Sequence, residues 1–298
     1  MFLPGFDDHR HQISTPSADL SYVDITRRNV DPGRPALFVH GIGTSAYLWA
    51  EAIGELADLR RCIAIDLPVH GQSPGRADQE MTIGALAGVL AEFCDGMHLG
   101  PLDLVANDTG GGIAQVFAAR SPGRLASLTL TDCDTQDNTP PEAFLPSVEL
   151  ARSGAIVPAA PKLLADLESA RTTLYAPSFE DPESLSLEMV NAFLQPLLGT
   201  PAAAEKFQAL IAGLEPSDLR AAEPGLRSLD VPTLIVWGNA DVFFDLKWAN
   251  WLRDTIPGVR EVVELEGAKL FFPYERAHEF AAAVRRHWDT AQPSATRR

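Results

Sequence analysis

The sequence predicts an α/β fold: a mostly parallel sheet wrapped by helices on both faces and interrupted once by a long helical segment. Three observations carry this. Short apolar runs alternate with helix-period stretches up to Thr131 and again from Pro232 onward. Between them, from Gln136 to about Asp230, roughly 80–95 residues show helical spacing and no convincing strand. Finally, Leu102–Gln115, LDLVANDTGGGIAQ, reads as a strand, a very tight turn and a helix, with an acid, Asp108, at the tip.

The elements follow in chain order. His9–Thr15 and Leu20–Arg28 read as a hairpin around a Pro/Ser turn. PALFV (35–39) is a short, fully buried strand that ends in His40-Gly41-Ile42-Gly43. Tyr47–Leu59 has helical spacing, and CIAIDL (62–67) is a second buried strand followed by the loop PVHGQSPG. Met81–Met97 places apolar residues at three- and four-residue steps, a helix. After the elbow strand and its helix, LASLTLT (125–131) is a further strand. In the insert, helices are expected at Ala143–Arg152, Pro161–Ala170, Leu185–Leu197 and Ala202–Leu214. PTLIVW (232–237), Leu246–Thr255, Glu261–Leu265 and Tyr274–His287 then restore the strand–helix alternation. The expected organisation is a core of residues 1–135 and 231–288, a cap of 136–230 and a disordered polar tail, 289–298. A cap over the carboxyl ends of the strands lies where open parallel sheets bind ligands, and would exclude water.

Composition narrows the function. The net charge of −16 over 298 residues argues against nucleic acid and anionic membrane surfaces as partners. Cys62, Cys94 and Cys133 are far apart, with no metal-ligand spacing and no disulfide framework, as expected in a reducing cytoplasm. No signal peptide or apolar run of about 18 residues is evident, and nothing calls for a cofactor. The expected partner is a small-molecule substrate; oligomeric state is not legible.

At the elbow, small residues sit two before and two after Asp108, where a sharp turn would crowd larger side chains. The plain alternative is an Asx-type turn with a solvated acid. A projecting carboxylate suits alkyl rather than acyl substrates. It displaces a leaving group from an sp3 carbon and forms an alkyl-enzyme ester, which water then cleaves.

FVHGIGTSAYLW (38–49), CIAIDLPVHGQS (62–73), LVANDTGGGIAQ (104–115) and PTLIVWGNADVFF (232–244) together resemble the α/β-hydrolase superfamily, within it the aspartate-nucleophile branch of haloalkane dehalogenases and epoxide hydrolases. The resemblance implies the α/β-hydrolase fold, an eight-stranded sheet with a helical cap inserted after the sixth strand. Asp108 falls on the nucleophile, and the backbone amides of Ile42 and Thr109 on the oxyanion hole. The acid partner falls on Asp241 in GNAD, or on Asp132 in LTDCD; the alternative for the first is a turn residue, and the second reads more readily as a strand-end acid bound by loop amides. His40 and His70 read as structural.

The family's histidine position is the departure. In EGAKLFFP (266–273), Leu270 stands where the histidine belongs, with Lys269 beside it, and His278 lies too far along the last helix. Without that imidazole the first half-reaction can occur but turnover should stall. Thr109 and Ile42 also replace the usual halide donors, no arginine follows the nucleophile, and the insert holds one tyrosine, Tyr175. Tyr175, Trp237, Leu270 and Lys269 are the candidate substrate-binding residues, with Phe144, Leu145, Leu163, Leu164, Phe193 and Leu197 as possible cap lining. Three functions stay open. They are a hydrolase-like enzyme with unusual water activation by Asp132, Asp241 or Lys269; a lyase, isomerase or cyclase with Asp108 as general acid or base; and a silent ligand-binding protein.

Overall fold

The computed structural model describes residues 5–27, 30 and 34–290. Eight strands form one sheet: β1 Arg10–Ser14, β2 Asp19–Ile25, β3 Ala36–Val39, β4 Cys62–Ile65, β5 Leu102–Asp108, β6 Leu125–Cys133, β7 Thr233–Gly238 and β8 Val259–Leu265. Their order is β1-β2-β4-β3-β5-β6-β7-β8. The β1–β2 hairpin is antiparallel, as is β2 against β4, and every other pairing is parallel. This is the expected eight-stranded, mostly parallel α/β-hydrolase sheet. β3, β4 and β5 are buried along their whole length because helices cover both faces, so their sequences lack a polar alternation.

Helices α1 Ala50–Leu56, α2 Ile83–Gly96, α3 Thr109–Arg120, α10 Leu246–Thr255, α11 Phe272–Glu275 and α12 Ala277–Thr290 flank the sheet. Between β6 and β7 run α4 Leu145–Arg152, α5 Ile156–Ala165, α6 Leu167–Ala170, a π turn at Arg171–Tyr175, α7 Leu187–Leu198, α8 Pro201–Ala212 and α9 Ser217–Leu226. The helix expected from Pro161 instead starts at Ile156 and carries Pro161 inside it. Within the expected cap 136–230 the helices pack in two ways. α4, α5 and α7 pack around α8, whereas α9 packs back on α2 and α3 of the core. There Asp218 accepts the Gly84 amide at 2.6 Å. α12 runs through the start of the expected tail, and 291–298 lie outside the described residues. Among the described residues, no helix is long and apolar enough to cross a membrane.

The strand order reverses beside β3, which has β4 on one side and β5 on the other. Connections leave the two carboxyl ends in opposite directions there, opening a crevice. The residues after β3 and at the end of β5 are Gly41-Ile42 and Asp108. An aromatic cluster ties the cap to the core above it. Tyr175 stacks near Phe193 and Phe179, and Phe179 meets Phe271 with ring centres 5.5 Å apart. Each such pair adds about 0.5–1.5 kcal/mol beyond area burial.

Candidate active site

Asp108 sits at φ +56°, ψ −135°, a backbone conformation costly for a residue with a Cβ. The strain persists because α3 starts directly against the sheet. A Cβ at Gly110 would overlap the carbonyl oxygen of His40. Gly41 is required for the same reason, since a Cβ there would overlap the Asp108 carboxylate. With that space free, the Ile42 amide donates to Asp108 Oδ2 at 2.8 Å. The Thr109 amide also favours the charged carboxylate. Both amides expected to form the oxyanion hole thus converge on Asp108 itself.

The loop carrying Ile42 is held by two neutral imidazoles. His40 Nε2 accepts the Leu67 amide at 2.9 Å while its Nδ1 donates to the Gly41 carbonyl at 2.7 Å. His70 Nε2 accepts the Gly43 amide at 3.3 Å and its Nδ1 donates to the Pro68 carbonyl. Burial lowers their pKa values to about 4 and about 3. Each ring is committed as one donor and one acceptor, which assigns the tautomer.

Asp108 opens into a cavity of about 290 Å³ between sheet and cap. Phe144, Leu163, Leu198 and Phe207 from the insert and Phe243 and Leu270 from the core line it. The expected lining was partly displaced by one helical step. Along α7, Leu194 and Leu198 face the cavity, while Phe193 and Leu197 pack within the protein; Leu145 is 42% exposed. Leu164 does not line it. No lysine, arginine or histidine lines the cavity among the described residues.

Its charged groups are two acids, Asp108 and Asp134. Asp134 is 1% exposed; its Oδ2 accepts the Thr109 hydroxyl at 2.7 Å and its carbonyl accepts Gln115 Nε2 at 2.7 Å. Burial raises Asp134 to about pKa 6, against the opposing pull of the Thr109 and Thr139 hydroxyls. Burial, then the charge of Asp134, push Asp108 well above the usual carboxylate range, with Asp241 adding to the push and the Ile42 and Thr109 amides resisting it.

Sequence reasoning did not single out Asp134, offering Asp241 and, from LTDCD, Asp132 as the second acid. The reason is a register shift in which Asn107 pairs with Thr131 but Asp108 pairs with Cys133. The extra residue in β6 is Asp132, and such a bulge re-aims its side chain. Asp132 is fully buried, outside the cavity lining, and accepts the Gly238 amide at 2.9 Å. Asp241 accepts the Phe243 amide at 2.8 Å and also lies outside the lining. Burial and Asp241 hold Asp132 well above its ordinary range, and burial pushes Asp241 up to about 7. Each of the two acids influences the ionisation of the other.

The remaining candidates separate. Tyr175 lines the cavity, but its hydroxyl donates to the Gly43 carbonyl at 2.7 Å, fastening the cap to the Ile42 loop. Leu270 lines the cavity at 4% exposure, and its carbonyl accepts Asn107 Nδ2 at 3.1 Å. Lys269 does not reach the lining; its amine donates to the Ala176 carbonyl at 3.4 Å. Trp237 is also displaced from its expected role. It is fully buried away from the cavity, and Nε1 donates to the Phe244 carbonyl at 2.7 Å.

Comparison with known proteins agrees with this architecture. The dihydrolipoyllysine-residue acetyltransferase component of the acetoin cleaving system of Cupriavidus necator is 27% identical over 253 residues, 84% of this chain and 62% of that one. A haloalkane dehalogenase of Mesorhizobium japonicum is 34% identical over 123 residues, 41% of this chain and 38% of that protein. This chain therefore spans less than two thirds of either relative. The crystal structure of the haloalkane dehalogenase DatA from Agrobacterium tumefaciens superposes with a TM-score of 0.77 at 21% identity, covering 95% of this chain and 97% of that one. A family model described as alpha/beta hydrolase fold matches residues 35–275, and the chain belongs to that family.

Proposed function

We propose that the chain is an enzyme acting on a small, uncharged, largely apolar substrate, with the Asp108 carboxylate as nucleophile. The observation that carries this reading is the Asp108 geometry: a strained, buried elbow with Oδ2 held by the Ile42 amide beneath an apolar chamber. One oxygen is fixed and the other is left to attack. In that reaction the free oxygen bonds an sp3 carbon and the leaving group departs with its electron pair. The Ile42 and Thr109 amides then stabilise the oxyanion formed when water adds to the resulting ester. Similarity to a haloalkane dehalogenase supports displacement at carbon. Leu270 takes the place of the usual water-activating histidine, and the Asp132–Asp241 pair is left with no imidazole to orient. Three free, buried cysteines suit a reducing cytoplasm.

The test is alkylation. Exposure to an alkyl bromide should add one alkyl mass to the peptide containing Asp108, and Asp108→Asn should abolish the gain. An unmodified Asp108 after exposure to reactive bromides and epoxides would sink the reading.

A second reading is favoured by the upward shift of Asp108. Two acids lining one cavity, with the charge of one raising the other, can divide into a donor and an acceptor. Asp108 would then be the neutral acid and Asp134 the base of a non-hydrolytic proton transfer, such as an isomerisation. Deuterium exchange into a bound ligand, lost in both Asp108→Asn and Asp134→Asn, would support it; exchange unchanged by either substitution would remove it.

A further inference from the structure

Resting on the nucleophile reading above, we propose that Asp134 is the general base of the second half-reaction, its Oδ1 taking a proton from the water that cleaves the alkyl ester on Asp108. Three observations converge on this acid. It lines the same cavity as Asp108. It is almost completely buried, and although the Thr139 hydroxyl lies near enough to favour its charged form, Oδ1 makes no hydrogen bond within normal distance among the described residues. It is tied at 2.7 Å to the hydroxyl of Thr109, the residue next to Asp108, and its charge helps to raise Asp108 above the usual carboxylate range. A buried carboxylate oxygen without a donor is unfavourable, and a proton from water would relieve it.

Two contacts hold Asp134 in place. The Thr109 hydroxyl holds Oδ2, and Gln115 holds the main-chain carbonyl, also reaching the Gly111 carbonyl at 3.1 Å. Oδ1 is the oxygen left over. With a pKa near 6 the carboxylate is mostly charged at neutral pH and ready to accept. The competing bases lie outside the lining: Asp132 and Asp241 each accept one loop amide and, like Asp134, keep one oxygen without a donor, and the Lys269 amine donates to the Ala176 carbonyl.

The step balances without a further reactant. Water oxygen bonds the Asp108 carboxyl carbon while its proton passes to Asp134 Oδ1. The oxyanion is held by the Ile42 and Thr109 amides. Collapse breaks the bond from the carboxyl carbon to the alkoxy oxygen, and the alkoxide takes the proton back from Asp134. The alcohol leaves, and the remaining carboxyl proton is released to solvent.

The experiment exposes the full chain to 1-bromobutane or benzyl bromide, removes the reagent rapidly and follows the adduct on the Asp108 peptide by mass spectrometry. In Asp134→Asn the adduct should form without slowing but decay about 100-fold more slowly than in the native chain. Asp134→Glu should recover part of the decay. Adducts that form in both and decay within about twofold of each other would overturn the role of Asp134 while leaving the nucleophile in place. No adduct in either chain would overturn both. Should Asp134→Asn fail to fold, the native adduct decides alone. Decay that rises with pH and levels off supports a titrating base, whereas a tenfold climb per pH unit throughout is hydroxide attack and overturns it.

Discussion

Thr109 donates its hydroxyl to Asp134 across 2.7 Å, joining the residue just past the elbow tip to the end of the neighbouring strand. One short contact thereby couples the amide that faces Asp108 to the second acid of the chamber. Thr109→Val keeps the amide and shape but removes the donor, leaving a buried carboxylate further from satisfaction. The expected result is a loss of about 1–3 kcal/mol in urea unfolding, together with a higher Asp134 pKa. Unchanged stability would mean the contact is not formed in solution.

Asp134 also predicts a pH-dependent stability difference. Its folded pKa of about 6 lies above the ordinary 3.8, so the folded state binds the proton more tightly. Stability from this group is fully present below about pH 4 and is lost as pH rises through about 6. Asp134→Asn has no such loss. It should gain on the native chain between pH 4 and 6 by on the order of 3 kcal/mol, each tenfold step in acidity being worth about 1.4 kcal/mol. Thermal melts of both chains across that range check the sign and the window.

Alkylation of Asp108 should accelerate with pH. Only the charged carboxylate attacks carbon, and burial together with Asp134 holds Asp108 above its ordinary range. The rate should keep rising well past pH 4, where an exposed aspartate has already levelled off. A rate flat from pH 5 upward would show that Asp108 is ionised in the chamber.

Leu270→His should place an imidazole in the cavity without moving the backbone, since the position is fixed through its carbonyl by Asn107. The Asp132–Asp241 pair lies outside the lining and would be available to the far ring nitrogen. Loss of any Asp108 ester should quicken by about 100-fold or more. No change with the fold intact would mean that position 270 does not face the ester.

Tyr175→Phe separates fastening from chemistry. The phenol proton is committed to the Gly43 carbonyl, so its loss should cost about 1 kcal/mol and loosen the cap, as read by hydrogen exchange at Gly43 and Tyr175. Adduct formation should stay within about threefold. A collapse of alkylation would make the phenol a proton donor to the leaving group instead.

Much of this was legible in the amino-acid order. β4, β5 and the elbow follow from short apolar runs and from glycines such as Gly110, where a Cβ would meet the sheet backbone, whereas the pairing of Ile42 and Thr109 with Asp108 was implied only by the family resemblance. What escaped was set by tertiary geometry. LTDCD offers two acids, and period-two logic cannot foresee the added residue that pairs Cys133 rather than Asp132 with Asp108. Trp237 looked like a pocket aromatic because it ends a strand at the correct sheet edge, but its indole is spent on the Phe244 carbonyl. On α7, neighbouring apolar pairs alternate between packing and lining, a rotation that a helix-period pattern leaves open by one residue. α9 reads like its cap neighbours, since only its partners, α2 and α3, set it apart.

The bulge in β6 has an evolutionary corollary. Acids 132 and 134 occupy separate compartments, one wedged beside Gly238 and one facing the chamber, solely because a single surplus residue breaks the pairing. Loss of one codon there would slide the strand end and exchange which acid meets a ligand. A one-residue insertion or deletion at the strand tip therefore acts on the acid facing the cavity without any substitution there.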